Sequence, residues 1–177
     1  AQDYITRFGF DSSRHPPYLP MALGSGSVTP MQMAVGYSVF ANGGYRIAPY
    51  FIKRIEDEKG NVLEQFQPIT PLNGAKRVID PRNAFIMTHM MQDVVNYGTA
   101  AKAKQLGRTD LAGKTGTTSN FVDAWFCGFQ KDLVTVAWTG YDEPKSLGNN
   151  ETGGRIALPI WMDYMGPVLK GVPMAEY

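Results

Sequence analysis

The sequence predicts an α+β fold in which an antiparallel sheet is flanked by helices. Two aromatic-rich apolar runs, 123–129 and 133–141, are separated by Gln130-Lys131-Asp132, the spacing of a tight antiparallel hairpin. A third extended segment, 113–118, stands immediately ahead of them. Helix signals lie before and after these strands instead of alternating with them, which argues against a parallel α/β sheet.

Taken in order, residues 1–10 close a short helix with Tyr4, Ile5 and Phe8 on one side and Gly9 as its stop. Residues 11–20 read as a proline-bearing loop. In it His15 is a surface histidine with no second ligand near, so no metal is assigned. Gly24-Ser25-Gly26-Ser27 lacks the lysine and the preceding strand of a phosphate-cradling loop and is read as turn or packing geometry. Thr29-Pro30-Met31-Gln32 is a helix start with an N-cap, a proline at the first position and a glutamine placed to complete a capping box. Met33, Tyr37, Phe40 and Ala41 follow at helical spacing, and Asn42-Gly43-Gly44 ends the run.

Two extended runs, 50–56 and 62–66, joined by a polar turn, predict a hairpin available to extend the main sheet. Asp80-Pro81 opens a second helix with Ala84, Met87, Met91, Val94 and Val95 on its apolar face, stopping near Gly98. Met87, His89, Met90 and Met91 are read as core packing with one exposed histidine, not as a metal or haem box. Thr99 is placed to cap a short helix through Lys104. A last helix starts near Pro159, buries Ile160, Trp161, Tyr164, Met165 and Val168, and is bent or stopped at Gly166-Pro167.

With 177 residues, 44% of them hydrophobic and 19% charged, the chain is long enough for one domain with a real core. A net charge of +1 offers no basic face, so nucleic acid is set aside as a partner. The single cysteine, Cys127, lies in an apolar run and is read as a buried, inert thiol. It excludes an internal disulfide and so permits an oxidising compartment without requiring one. No run is long enough to span a bilayer, and Ala1 opens no charged-then-apolar leader. The amphipathic start leads us to expect a piece of a longer polypeptide.

The chemistry concentrates in residues 113–118, Gly-Lys-Thr-Gly-Thr-Thr, which put one ammonium, three hydroxyls and two glycines on six positions. Alternate side chains of a strand share a face, so Lys114 and Gly116 point one way while Thr115 and Thr117 point the other. Gly116 leaves the backbone open to a ligand laid along it. Hydroxyl donors, backbone N–H groups and a positive charge together suit an acyl substrate with a negative end.

These residues resemble a known family. Residues 112–118, followed by Asp123-Ala124-Trp125-Phe126-Cys127-Gly128-Phe129, are similar to the third active-site motif and following strand of penicillin-binding transpeptidases. Gly24-Ser25-Gly26, the block from Thr29 to Ala34, Asn42-Gly43-Gly44, Ile79-Asp80-Pro81, Gly98-Thr99-Ala100, Leu106-Gly107-Arg108 and Asp110-Leu111 match in the same order. The resemblance covers nearly the whole chain and runs to the bifunctional class A enzymes of the 1A type.

It implies the penicillin-binding/serine β-lactamase-like fold and a D,D-transpeptidase that cross-links peptidoglycan stem peptides through an acyl-serine. The partners it implies are stem peptides ending in D-Ala-D-Ala and β-lactam antibiotics, with no cofactor. The place it implies is the periplasmic side of the bacterial inner membrane, anchored by a segment outside this chain. Lys114 would organise the electrostatics around a second-motif serine, and Thr115 and Thr117 would bind the terminal carboxylate. The Thr117 backbone N–H would be half of the oxyanion hole, where one donor is worth about 3 kcal/mol. Lys114, Thr115, Gly116, Thr117 and Thr118 would form the substrate edge.

One departure stands out. The family needs S-x-x-K and S-x-N motifs, yet no lysine here has a serine three places before it and no serine begins S-x-N. We therefore expect residues 1–177 to be the C-terminal portion of a transpeptidase domain, inactive alone, with the nucleophile on a preceding segment. A D-alanyl carboxypeptidase, a serine β-lactamase, a non-catalytic β-lactam or wall-peptide sensor and a plain structural module remain the alternatives.

Overall fold

In the computed structural model, which describes residues 1–177, α1 (Gln2–Ile5) continues as a 3-10 turn over Thr6–Phe8 and stops at Gly9, φ 96°. That left-handed conformation is cheap only for glycine. Two more 3-10 turns, Ser12–Arg14 and Leu19–Leu23, add local order to the expected loop. Helix α2 (Pro30–Ala41) has the expected capping box. The Thr29 hydroxyl accepts from the Gln32 N–H at 3.1 Å, and the Gln32 side chain accepts from the Thr29 N–H at 2.9 Å.

Strands β1 (Tyr45–Arg46), β2 (Arg54–Glu56), β3 (Val62–Gln65) and β4 (Lys76–Arg77) pair as β1 with β4 and β2 with β3. The β2–β3 hairpin exists, its turn tied by the Asp57 carboxylate accepting from the Lys59 and Asn61 N–H groups, but it does not extend the main sheet. Its strands are exposed on both faces, so no buried surface draws it there. Helix α3 (Pro81–Asn96) is capped by Asp80, whose carboxyl the hydrogen bonds from Arg82 hold down at about 2. Ala84, Thr88, Met91 and Val95 form its buried stripe, while Met90 and His89 face outward. A 3-10 helix over Ala101–Leu106 follows without any side-chain cap, so Thr99 is not the cap the sequence implied.

The main sheet has the order β5 (Ala112–Thr117), β6 (Ala124–Gln130), β7 (Leu133–Thr139), antiparallel throughout, with Lys114 opposite Cys127 and Cys127 opposite Val136. A π-helical stretch, Gly153–Ala157, then runs into α4 (Leu158–Val168). Leu158, Trp161, Met162 and Met165, at i, i+3, i+4 and i+7, form the buried stripe of α4, so Trp161 and Met165 are in the core as expected, whereas Ile160, Tyr164 and Val168, also expected there, are exposed. The helix also continues through Gly166-Pro167 and ends at Val168.

Helices cover both faces of the sheet. On one, Phe129 and Ala112 pack with Ala41 of α2 and Met91 of α3. On the other, Phe126 and Ala124 pack with Trp161, Met165 and Leu158 of α4. The paired glycines Gly113 and Gly128 make the second packing possible. A Cβ on Gly113 would meet the Phe126 ring at 2.7 Å, and one on Gly128 would meet the Trp161 ring at 2.8 Å. Trp161 is fully buried and donates its indole N–H to the Thr135 carbonyl at 3.1 Å.

Ahead of β5, Arg108 and Asp110 form a buried ion pair at 2.6 Å. Arg108 also donates to the carbonyls of Leu169, Val172 and Pro173, and Asp110 accepts from Gln130 and the Ala175 N–H, so the tail from 169 onward is strapped to the root of the strand. Cys127 is buried in β6, and burial pushes its thiol up to about 12. It should therefore resist iodoacetamide at neutral pH until the protein is unfolded, when mass spectrometry should count one adduct.

Candidate active site

Strand β5 is an edge strand, and its second half is accessible: Lys114 and Thr117 are exposed, Thr115 and Gly116 half-buried. Successive peptide groups of a strand point to opposite edges. The Thr118 N–H donates to the Asp123 carbonyl at 3.1 Å, towards β6. The Thr117 N–H and the Thr115 carbonyl therefore face the open edge. The Lys114 ammonium agrees with this, donating to the Thr115 carbonyl at 3.0 Å from that side. An edge with one free N–H directed outward accepts an extended peptide by strand addition.

The side chains divide as the two-residue period requires. On the α2 side, Lys114 lines a cavity of about 720 Å³ walled by Phe10, His15, Met33, Tyr37 and Trp125 and by the Gly24-Ser25-Gly26 turn. His15 is half-buried there, not a surface residue, its ring edge-on to Phe10 at 5.6 Å. Gly26 presses so closely on the imidazole that any Cβ would collide with it, which is the packing role the glycine-rich turn was expected to have. Thr115 and Thr117, which also border the larger cavity, line on the α4 side a smaller one of about 360 Å³ together with Thr99, Thr152, Gly154 and Arg155.

Hydrogen bonds fix the threonine hydroxyls. Thr99 Oγ1 and Thr115 Oγ1 lie 2.6 Å apart, and Thr117 Oγ1 accepts from the Gly153 N–H at 3.0 Å. With that lone pair occupied, the Thr117 O–H is oriented to donate. Thr118 differs, since its hydroxyl accepts from the Asp123 N–H at 2.8 Å and closes the strand end. Asp123 in turn accepts from the Trp138 indole at 2.9 Å, and Trp138 stands 6.1 Å from Trp125. The five residues from Lys114 to Thr118 thus sit together along one edge and line the larger cavity. Sequence reading missed Thr99, Thr152 and Arg155. The doublet Gly153-Gly154 was the available signal, because a Cβ on Gly153 would strike the Trp125 and Gly116 carbonyl oxygens.

The arrangement matches known proteins over nearly its full length. The family described as the penicillin binding protein transpeptidase domain matches residues 3–166. Penicillin-binding protein 1A of Neisseria lactamica is 54% identical over 98% of this chain, and that of Pseudomonas aeruginosa is 42% identical over 98%. This chain spans 22% and 27% of the length of those relatives. Among solved structures, penicillin-binding protein 1A from Haemophilus influenzae superposes with a TM-score of 0.95 at 31% identity, covering 99% of this chain and 31% of that one. PonA1 from Mycobacterium tuberculosis, solved in complex with penicillin V, gives a TM-score of 0.74 at 26% identity, covering 94% of this chain and 45% of that one. The α+β arrangement read from the sequence is thus the one these proteins share, and the chain belongs to the penicillin-binding protein transpeptidase domain family, with relatives of the class A, 1A type.

Proposed function

We propose that residues 1–177 supply the substrate edge of a peptidoglycan D,D-transpeptidase, with the attacking serine on a preceding segment. The observation that carries the reading is the edge of β5, where the Thr117 N–H faces outward beside Lys114 and two threonine hydroxyls. A stem peptide ending in D-Ala-D-Ala lies along that edge. The serine oxygen attacks the carbonyl carbon between the two alanines, and the Thr117 N–H receives the developing oxyanion. The C–N bond breaks, terminal D-alanine leaves as the amine after taking up a proton, and an amine of a neighbouring stem then takes the acyl group from the serine. Lys114 holds the charge and hydrogen bonding around the serine of the second motif. Thr115 and Thr117 take the carboxylate, Gly116 keeps the backbone approachable, and Thr118 shapes the end of the strand. β-Lactams occupy the same edge, since a strained cyclic amide with a carboxylate presents the same pattern of acceptors.

No helix is long and apolar enough to cross a membrane. We place the domain on the periplasmic side of the inner membrane, held by a segment outside these residues. Absence of S-x-x-K and S-x-N motifs supports inactivity of residues 1–177 alone. Fluorescent penicillin checks this directly. Residues 1–177 alone should remain unlabelled on a denaturing gel, and a polypeptide that also carries the serine-bearing segment should be labelled covalently. A labelled 177-residue chain would show that the nucleophile is misassigned.

A further inference from the structure

We infer that Asp123, with the indole faces of Trp125 and Trp138, forms a subsite for a cationic side chain of the donor stem peptide, on the residue before the D-alanine whose carbonyl is attacked. The inference rests on the function proposed above and concerns which stem peptides that edge accepts.

Asp123 is the one acidic side chain bordering the larger cavity, and it takes part in no ion pair. Its carboxylate accepts from the Trp138 indole N–H at 2.9 Å through Oδ1 and from the Thr118 hydroxyl at 3.3 Å through Oδ2. A carboxylate offers about four lone-pair sites, so two remain for a ligand. The strand end does not use the charge. It is closed by the Thr118 N–H donating to the Asp123 carbonyl and by the Asp123 N–H donating to the Thr118 hydroxyl, and a neutral amide oxygen would accept from the indole as well as a carboxylate does. Two cations of the same region are engaged elsewhere, Lys114 on the Thr115 carbonyl and Lys145 over the Tyr141 ring at 4.1 Å.

The aromatic walls favour the same ligand. Trp125 and Trp138 stand with ring centroids 6.1 Å apart and planes inclined at 47°, and Trp138 keeps 38% of its surface open. An indole face attracts an ammonium held within about 6 Å of its centroid. Gly140 makes room for this, since a Cβ there would collide with the Trp138 ring and stand 3.0 Å from Asp123 Oδ1.

The direction of the bound peptide brings the cation here. With its terminal carboxylate at Thr115 and Thr117 and the attacked carbonyl at the Thr117 N–H, its earlier residues run on past Thr118. One residue of extended chain advances about 3.3 Å, which sets the residue before the reacting D-alanine level with Thr118 and its contact to Asp123. Stem peptides carry an amine, because one of them supplies the group that attacks the acyl-enzyme. On the donor stem that amine is free to be an ammonium. The acceptor's amine does not suit the subsite, because it must attack unprotonated and a neighbouring carboxylate holds it charged.

The test uses a polypeptide that includes the serine-bearing segment and two tripeptides, α-N-acetyl-lysyl-D-alanyl-D-alanine with the side-chain amine free or acetylated. The readout is the ratio of kcat/KM values for D-alanine release, which reports formation of the acyl-enzyme. Wild type should favour the free amine about tenfold, and raising ionic strength should narrow that preference. Asp123→Asn, which keeps an acceptor for the indole, should bring the ratio close to one, and Asp123→Glu should restore part of it. A wild-type ratio of one, a ratio that salt leaves unmoved, or an Asp123→Asn variant that slows both peptides equally overturns the inference while leaving the transpeptidase reading intact. So does a charge preference that appears only for an added acceptor amine. A wild-type protein that releases D-alanine from neither peptide and is not labelled by fluorescent penicillin overturns that reading and this one with it.

Discussion

Replacing Lys114 by alanine, in a polypeptide that also carries the serine-bearing segment, should lower the rate of penicillin acylation by about 10²–10³-fold, the loss that follows removal of one preorganised electrostatic contact. Folding should hardly register the change. The side chain is exposed, and its only hydrogen bond is to the neighbouring Thr115 carbonyl, which faces the open edge and can turn to water. Exposed substitutions of this kind stay within about 0.5 kcal/mol of wild type. Stopped-flow or gel-based acylation rates, paired with a thermal midpoint, separate lost chemistry from lost fold. Lys114→Arg sharpens the result: a guanidinium keeps the positive charge, so part of the lost rate should return if charge is what the lysine supplies. Activity retained in Lys114→Ala would remove the lysine from the mechanism.

The second large effect lies far from the edge. Arg108→Ala should destabilise the fold by about 3–5 kcal/mol, because it strands a buried carboxylate. Asp110 is almost wholly inaccessible, and Arg108 is its sole charged partner. The same substitution unties the 169–177 strap, since Arg108 donates to three of its carbonyls. Urea unfolding followed by tryptophan fluorescence reads the loss.

The pH dependence carries a sign. Burial works to raise the Asp110 carboxyl, but hydrogen bonds from Arg108, the Ala175 N–H and Gln130, with the charge of Arg108, hold it below the usual range. A depressed carboxyl stabilises the folded state fully above its unfolded value of about 3.9 and loses that contribution as pH falls through the lower folded value. Wild type should therefore weaken below about pH 4. In Arg108→Ala the depressing partner is gone, so the gap from wild type should shrink on acidification. A gap that widens instead would show that Asp110 is not the group stranded.

What could be read from residues alone follows the range of the forces involved. The capping box at Thr29, the hairpin at Lys131-Asp132 and the alternation of Lys114 with Thr115 depend on near neighbours, and each stands as the local pattern implied. The buried face of α4 was only half legible, because apolar residues stand on two adjacent faces of the helix and only the face carrying Leu158, Trp161, Met162 and Met165 meets the sheet. Thr99 reads locally as a cap, yet its partner is Thr115, a contact visible only once α3 has delivered the residue beside β5. Arg155 and Thr152 enter the same cavity from beyond β7. The hairpin at 54–65 has sound strand chemistry, and where it docks depends on buried area that it does not possess.

The contact between Gly153 and Gly116 limits where the edge of β5 can vary. A methyl at 153 would strike two backbone carbonyl oxygens, which cannot step aside, whereas one at 116 would crowd the Trp125 side chain at 3.3 Å and asks only for a small shift. The seam between β5 and the start of α4 is thus closed to side chains at position 153, and variation there is left to the residues whose side chains line the two cavities.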